Sequence, residues 1–372
     1  MKKIDLKELD TWYGHNFEKT IDSRWVTLDH IQPLLLNLSA PFDISKIGES
    51  FQKRPIFKFQ LGTGPIQILM WTQMHGNEST GTKAVLDMMR FFEKPGPFNW
   101  LTHLIMKSCT IHCIPILNPD GAQEYTRKNA QKIDLNRDVI EKKGIESVLL
   151  QRVLKKVDPA FCFNLHDQRT LFSVGAEHHP ATISFLAPSV DEARTVTSGR
   201  KETMEVIVAM NKLLQKLITN RVGRYTDEFY PTATGDNFQK MGHNTILIES
   251  GHAFGDYQRK ESRKSTFLAI VEGLRYISQQ ERDYDYQRYF DIPNNEKNYT
   301  DIIVRNVSVA GNKMDLSILF VEKLIDRKVV FVPTLDKMSP LLECNADKII
   351  DGTGLTFANE NDAKKWIENS FN

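Results

Sequence analysis

The feature that most constrains the fold of this chain is a set of short apolar runs that end abruptly in ionisable residues. Ile66–Trp71 leads into His75-Gly76-Asn77-Glu78, Ala160–Leu165 runs straight into His166, and Thr245–Ile248 runs straight into Glu249. A buried strand tolerates such a group only at its solvent end or against a partner, because burying an unpaired charge is costly. Between the runs lie segments with helical periodicity. Ser79–Glu93 carries Ala84, Val85, Met88, Met89, Phe91 and Phe92 on a broad apolar face; Ile145–Lys156, Glu202–Asn220 and Lys260–Gln279 follow. Ile56–Leu61 and Ser108–Leu117 read as further strands. This alternation predicts an α/β fold, with a mixed, largely parallel central sheet and helices on both faces. In such sheets the chemistry sits at the carboxyl ends of the strands, which is where these ionisable residues fall.

Residues 1–55 read as an N-terminal helical lead-in, with helical signals over Asp5–Tyr13 and Leu28–Leu38 broken by Pro33, Pro41 and Pro55. The α/β unit is expected over 56–285. Beyond Gln279 the character changes. A polar, aromatic stretch (281–289) and a loop (293–298) precede strand-like Ile302–Ala310, Ser317–Leu324 and Lys328–Val332, with little helix until Asp362–Asn369. A small β-rich C-terminal domain is therefore expected over 290–372. A chain of 372 residues suits one large domain plus a smaller one.

A net charge of +1 with 26% charged residues argues against a nucleic-acid surface. No stretch approaches the roughly 18 consecutive apolar residues of a membrane helix. The first eight residues carry charge where an export leader needs an apolar run. Cys109, Cys113, Cys162 and Cys344 form no C-x-x-C, and they read as reduced core residues. The expectation is a cytoplasmic protein that contacts neither membrane nor nucleic acid.

Four polar clusters follow the apolar runs. The first is His75-Gly76-Asn77-Glu78, where imidazole and carboxylate three residues apart are ligand types suited to zinc. The second is Asn118-Pro119-Asp120-Gly121, followed by Thr126-Arg127-Lys128-Asn129 and Asp134-Leu135-Asn136-Arg137. The third is Asn164-Leu165-His166-Asp167, and the fourth is Ile246-Leu247-Ile248-Glu249-Ser250-Gly251.

In this order of clusters, over about residues 56–280, the chain resembles the zinc metallocarboxypeptidases, the carboxypeptidase A-like peptidases. The resemblance implies a phosphorylase/hydrolase-like architecture and one zinc ion held by His75, Glu78 and His166. It implies that Glu249 is the general base, that Arg127 polarises the scissile carbonyl, and that Asn136 and Arg137 grip the substrate's terminal carboxylate. The residue types suit those roles. Three protein ligands leave zinc an open position. A carboxylate accepts and returns a proton. Arginine keeps its charge beside a developing oxyanion and offers a planar fork to a carboxylate. Asn77 stands where digestive members carry Arg. His-Gly-Asn-Glu, Asp134-Leu135-Asn136-Arg137 and a β-rich appendage also resemble bacterial branches and the succinylglutamate desuccinylase and aspartoacylase enzymes. The implied substrate is accordingly a peptide with a free C-terminus or an N-acyl amino acid.

Plainer readings exist for each residue. His75 and Glu78 alternatively cap the helix that follows. Arg127 alternatively belongs to a basic surface with Lys128 and Lys132, and Asn136 and Arg137 alternatively anchor their own turn. Asn118-Pro119-Asp120-Gly121 reads as a structural turn. Asp167 is open between supporting His166 and forming a loop, and His112 reads as a satisfied core or edge histidine. His178-His179 reads as a solvated loop. Tyr225 and Tyr230 are both candidates to touch substrate. A non-catalytic binding protein on the same fold is the reading of a different class.

Overall fold

The computed structural model describes residues 3–175, 177, 179–279, 285–340 and 342–371. Helices α1 (Leu6–Asn16) and α2 (Leu28–Leu36) lead into strands β1 (Phe42–Glu49), β2 (Pro55–Leu61) and β3 (Ile66–Thr72). Helices α3 (Thr80–Glu93) and α4 (Asn99–Ser108) come next, then β4 (Cys109–Ile114), the short α5 (Pro119–Gln123), α6 (Ile145–Val157) and β5 (Phe161–Asp167). A small ribbon, β6 (Ser173–Val174) with β7 (His179–Pro180), precedes β8 (Ile183–Leu186), α7 (Ser198–Leu214), β9 (Val222–Arg224), α8 (Thr234–Lys240), β10 (Asn244–Ser250) and α9 (Lys260–Ile277). His178 and residues 280–284 lie outside the described residues.

Among the described residues the main sheet has eight strands in the order β1-β2-β4-β3-β5-β10-β8-β9. β4, β3, β5 and β10 run parallel at its centre, and β2 and β8 flank them antiparallel. The expected α/β class with a mixed, largely parallel sheet is what the fold shows. Strand alternation sorts the two faces. Ile68, Met70, Phe161, Phe163, Leu165, Ile246 and Ile248 pack under α3, α4, α7 and α9 in the larger core. Leu69, Trp71, Ile114 and Cys162 point the other way and pack under Leu149, Leu150, Val153 and Leu154 of α6.

The helical lead-in is corrected in part. Residues 42–49 form an edge strand of the main sheet, because Phe42 and Ile44 present apolar side chains to it while the backbone pairs with β2. α1 is fastened to the main core by a buried network. Arg263 donates to both Asp87 oxygens at 2.6 and 2.7 Å and to the carbonyls of Ile21 and Glu18, and Tyr13 also donates to Asp87. Each buried charge thus has a partner, as burial demands. The expected strand at Ser108–Leu117 is shorter, at Cys109–Ile114, and Ser108 instead ends the unexpected helix α4. α7 begins at Ser198 rather than Glu202, because the Thr197 side chain caps it by accepting from the Arg200 N–H at 3.2 Å.

Past residue 290 the chain is β-rich: β11 (Tyr299–Val309), β12 (Asn312–Ile325), β13 (Lys328–Ser339), β14 (Asn345–Asp351) and β15 (Thr356–Phe357), followed by α10 (Glu360–Ser370). These strands form a second sheet, ordered β13-β12-β11-β14 with β15 beside β11. It has its own core around Val304, Leu316, Ile318, Phe357 and Ile367. No helix of the described residues is long and apolar enough to cross a membrane.

Candidate active site

Glu78 is the hub of the site. It follows β3 at the entry to α3 and lies between two imidazoles. Its Oε1 is 2.8 Å from Nδ1 of His75, and its Oε2 is 2.8 Å from Nδ1 of His166. The tight turn that brings His75 here requires Gly76: a Cβ at that position would meet the Gly121 backbone at 1.9 Å. All three residues are buried, and one donor atom of each lies within 4.8 Å of the others.

This group fits a zinc ion. Both imidazoles present the same nitrogen, Nδ1, to one carboxylate. His75 Nε2 lies 3.1 Å from Oδ1 of Asp134, which fixes the tautomer that leaves the Nδ1 lone pair free. His166 Nε2 is buried and has no hydrogen-bond partner among the described residues. Burial pushes Glu78 up, but His75 and His166 outweigh it and hold the carboxyl well below the usual range. A dication between these donors would reinforce that ionised state.

The second cluster closes one side of the site. Arg127 donates from Nε to Asp134 at 3.0 Å and from Nη1 to Glu78 at 3.3 Å, so it points into the site although its side chain is 43% exposed. Burial raises Asp134, yet the His75 hydrogen bond and the Arg127 charge more than offset it and keep the carboxylate ionised. Asp134 also accepts from the Asn136 N–H at 3.0 Å, starting the 3-10 turn that carries Asn136 and Arg137. The Asn136 side-chain Oδ1 accepts from the Thr234 N–H at 3.2 Å. Arg137 is exposed, lies over the Tyr230 ring at 5.5 Å, and lines the cleft.

Glu249 stands opposite. In the parallel ladder its register partner is His166, so strand alternation puts both side chains on one face of adjacent strands. The two residues lie within strands, not beyond their ends, because backbone pairing continues one step further to Ser250 and Asp167. Burial, then the negative charges of Glu78 and Asp167, push the Glu249 carboxyl well above its ordinary range, against the pull of Arg127 and Arg259. Neither carboxylate oxygen is engaged by another described residue. Together these residues line a cleft of about 180 Å³ with Leu186, Leu247 and Asp236. Tyr225 also lines it, half-buried against the Phe172 ring, and burial and the Glu249 charge push its phenol up to about 12. Tyr230 lies at the exposed rim.

The remaining motif residues are structural. Asp120 accepts from Ser50, Gln52 and Arg54, and Asn118 bonds Gly121 and Met74, so this tetrad is the expected turn. Asp167 accepts from the Thr80 hydroxyl at 2.6 Å at the start of α3, and its N–H donates to Glu78 at 3.2 Å. His112 is satisfied by Lys58 and Gln67.

Sequence reasoning named Asp134 without giving it a role, although its spacing from Asn136 was a signal. It missed Arg259, whose guanidinium ties Ser250 O to Gln168 O at the exits of β10 and β5. It also missed two carboxylates from the C-terminal sheet. Glu322 pairs with buried Arg24 at 2.7 Å and accepts from Tyr125, two residues before Arg127. Asp347 pairs with His252 at 2.8 Å, three residues after Glu249. These contacts join residues far apart in sequence and leave no local pattern.

Residues 36–170 match the zinc carboxypeptidase family model. Carboxypeptidase SOL1 of Arabidopsis thaliana is 29% identical over 98 residues, 25% of this chain and 20% of that protein, so the likeness spans about one-fifth of the curated relative. Among solved structures, a metallo-carboxypeptidase from Burkholderia cenocepacia aligns with a TM-score of 0.51 and 16% identity, covering 65% of this chain and 67% of that one. Carboxypeptidase A from Helicoverpa armigera aligns with a TM-score of 0.55 and 14% identity, covering 76% and 83%. At these identities the likeness is one of fold. The matched segment, about a third of the chain, holds His75, Glu78, Arg127, Asn136, Arg137 and His166, and over it the chain is similar to the zinc carboxypeptidases.

Proposed function

We propose that this chain is a zinc-dependent hydrolase that cleaves an amide bond next to a free carboxylate, releasing the C-terminal residue of a peptide. The observation that carries the reading is the pairing of Glu249 with His166 across adjacent strands, which stands a carboxylate without a partner among the described residues beside the His75–Glu78–His166 group. Zinc held by those three residues would supply Lewis acidity, polarising a carbonyl and activating water.

The chain's own residues account for the rest. Glu249 accepts a proton from the attacking water and passes it to the leaving nitrogen, a task suited to a carboxyl whose affinity for protons is raised. Arg127, already turned toward Glu78, donates to the oxyanion that forms on the scissile carbonyl. Arg137 and the Asn136 amide nitrogen hold the substrate carboxylate, and the Tyr230 ring limits where the Arg137 fork can swing. Tyr225 closes the cleft beside Glu249 and donates its phenol, which stays protonated at neutral pH.

A deacylase of N-acyl amino acids is the second reading. The cleft of about 180 Å³ opens to solvent and accommodates the amide and free carboxylate that the two substrate classes share. Zinc-loaded protein incubated with N-blocked dipeptides and with N-acyl amino acids, and analysed by mass spectrometry, separates the two. Release of the C-terminal residue from the dipeptides supports the first reading. Acyl release from single amino acids alone replaces it with the second.

A further inference from the structure

The sheet face covered by α6 holds a second polar region, distant from the cleft. Alternate residues of β2, β3 and β4 share this face. At one end Ile56, Leu69, Trp71 and Ile114 lie under α6 in an apolar block. Beside this block, toward the β1 edge of the sheet and the start of β3, the same alternation presents Lys58, His112 and Gln67, which are polar residues at positions where a covered sheet carries apolar ones. A pocket of about 740 Å³ opens over them, bounded by Arg152 and Lys156 of α6 on one side and by Asp43 of β1 on the other.

The polar groups there are organised. Half-buried Lys58 donates to His112 Nδ1 at 3.1 Å, and His112 Nε2, on the opposite edge of the ring, donates to Gln67 Oε1 at 2.9 Å. The ring is therefore neutral. Burial, with Lys58 and Lys156 close by, pushes it down to about 4. Gln67 is left with its amide N–H groups to offer. Lys46 is matched by Glu49 at 2.7 Å, and Asp43 is the single carboxylate among the lining residues. Lys58, Arg152 and Lys156 against Asp43 leave two unmatched positive charges.

We propose that this pocket binds the phosphate group of a small phosphomonoester. Such a group carries about −1.5 to −2 charges and three acceptor oxygens, which matches the two surplus charges and the donors of Lys58, Lys156, Arg152 and Gln67. The volume lies within the roughly 300–1,000 Å³ of small-molecule sites and leaves room for a sugar or nucleoside body. The site is independent of the hydrolase reading. The apolar block under α6 separates it from Glu249 and His166.

Isothermal titration of the intact chain with glucose 6-phosphate and with AMP tests the proposal, with inorganic phosphate as the minimal probe. Saturable binding of at least one ester is expected. It should weaken at least tenfold in Lys58→Gln and in Lys156→Glu, while zinc content and peptide turnover stay unchanged. Lys156 is exposed at the rim, so its variant reads the pocket even if Lys58→Gln disturbs the sheet. Absence of binding by all three probes at millimolar concentration overturns the proposal, as does equal ester binding by native chain and Lys156→Glu.

Discussion

The two polar regions on the α6 face are built in opposite ways. In the cleft, charges of opposite sign interlock: Glu78 lies between two imidazoles, and Asp134 between His75 and Arg127. In the pocket toward the β1 edge of the sheet, cations converge with one carboxylate among them. Interlocked charges can be buried, because each offsets the desolvation of its neighbour, and they hold one geometry. Converging like charges stay at a hydrated rim and wait for a counter-charge from outside. On the proposed readings the cleft acts on a molecule and the pocket holds one.

The comparison breaks most visibly at Glu249. Glu249→Gln keeps shape and removes the proposed base, so turnover should fall by roughly 10²–10⁴-fold with zinc content unchanged, measured by peptide hydrolysis and metal analysis of the same preparation. Next is the buried pairing that ties the C-terminal sheet to the site. Glu322→Ala leaves Arg24, only 3% exposed, without its carboxylate. A loss of about 3–5 kcal/mol is expected in chemical denaturation. Arg127→Ala should lower kcat by about 10²–10³-fold with a smaller change in KM, because in the proposed reaction its donor acts on charge that develops in the transition state. A change confined to KM would move Arg127 to substrate binding.

Asp236 sharpens the comparison through pH. It lines the cleft, and burial pushes its carboxyl up to about 6. Between roughly pH 4 and 6 the folded chain keeps a proton that the unfolded chain has lost. Relative to high pH, this stability is fully present below about pH 4 and is lost as pH rises through 6. Asp236→Asn retains an acceptor for the Tyr230 N–H and removes the titration. Its unfolding free energy in chemical denaturation should match the native one near pH 4 and exceed it at pH 7 and above, by at most about 2–3 kcal/mol. The smallest effect belongs to the basic pocket. Lys156→Gln should change stability by no more than about 0.5 kcal/mol, since an exposed cation among like charges supports nothing.

How much of this was legible follows from how local each signal is. The central strands were readable because apolar runs of Ile, Leu and Phe must be buried on both faces, and the ionisable residue at each exit marks the chemical edge. β1 was hidden by Pro41, by its charged residues and by a register shift between Lys46 and Gly48, which together blur its alternation. α4 was passed over because its apolar residues run almost directly into β4. At the site, the residues that follow strands announced themselves, and the geometry brings all seven named candidates around one cleft. Arg259, Glu322 and Asp347 stayed invisible because their partners lie on distant elements, and nothing in a strand's periodicity reveals an ion pair across a domain.

The central claim is that Glu249 performs proton transfer beside the metal group. The most direct test is product analysis of zinc-loaded native chain and Glu249→Gln on a mixture of N-blocked dipeptides. The account predicts free C-terminal residues with the native chain, almost none with Glu249→Gln, and equal zinc in both. Full turnover by Glu249→Gln with zinc bound would contradict it.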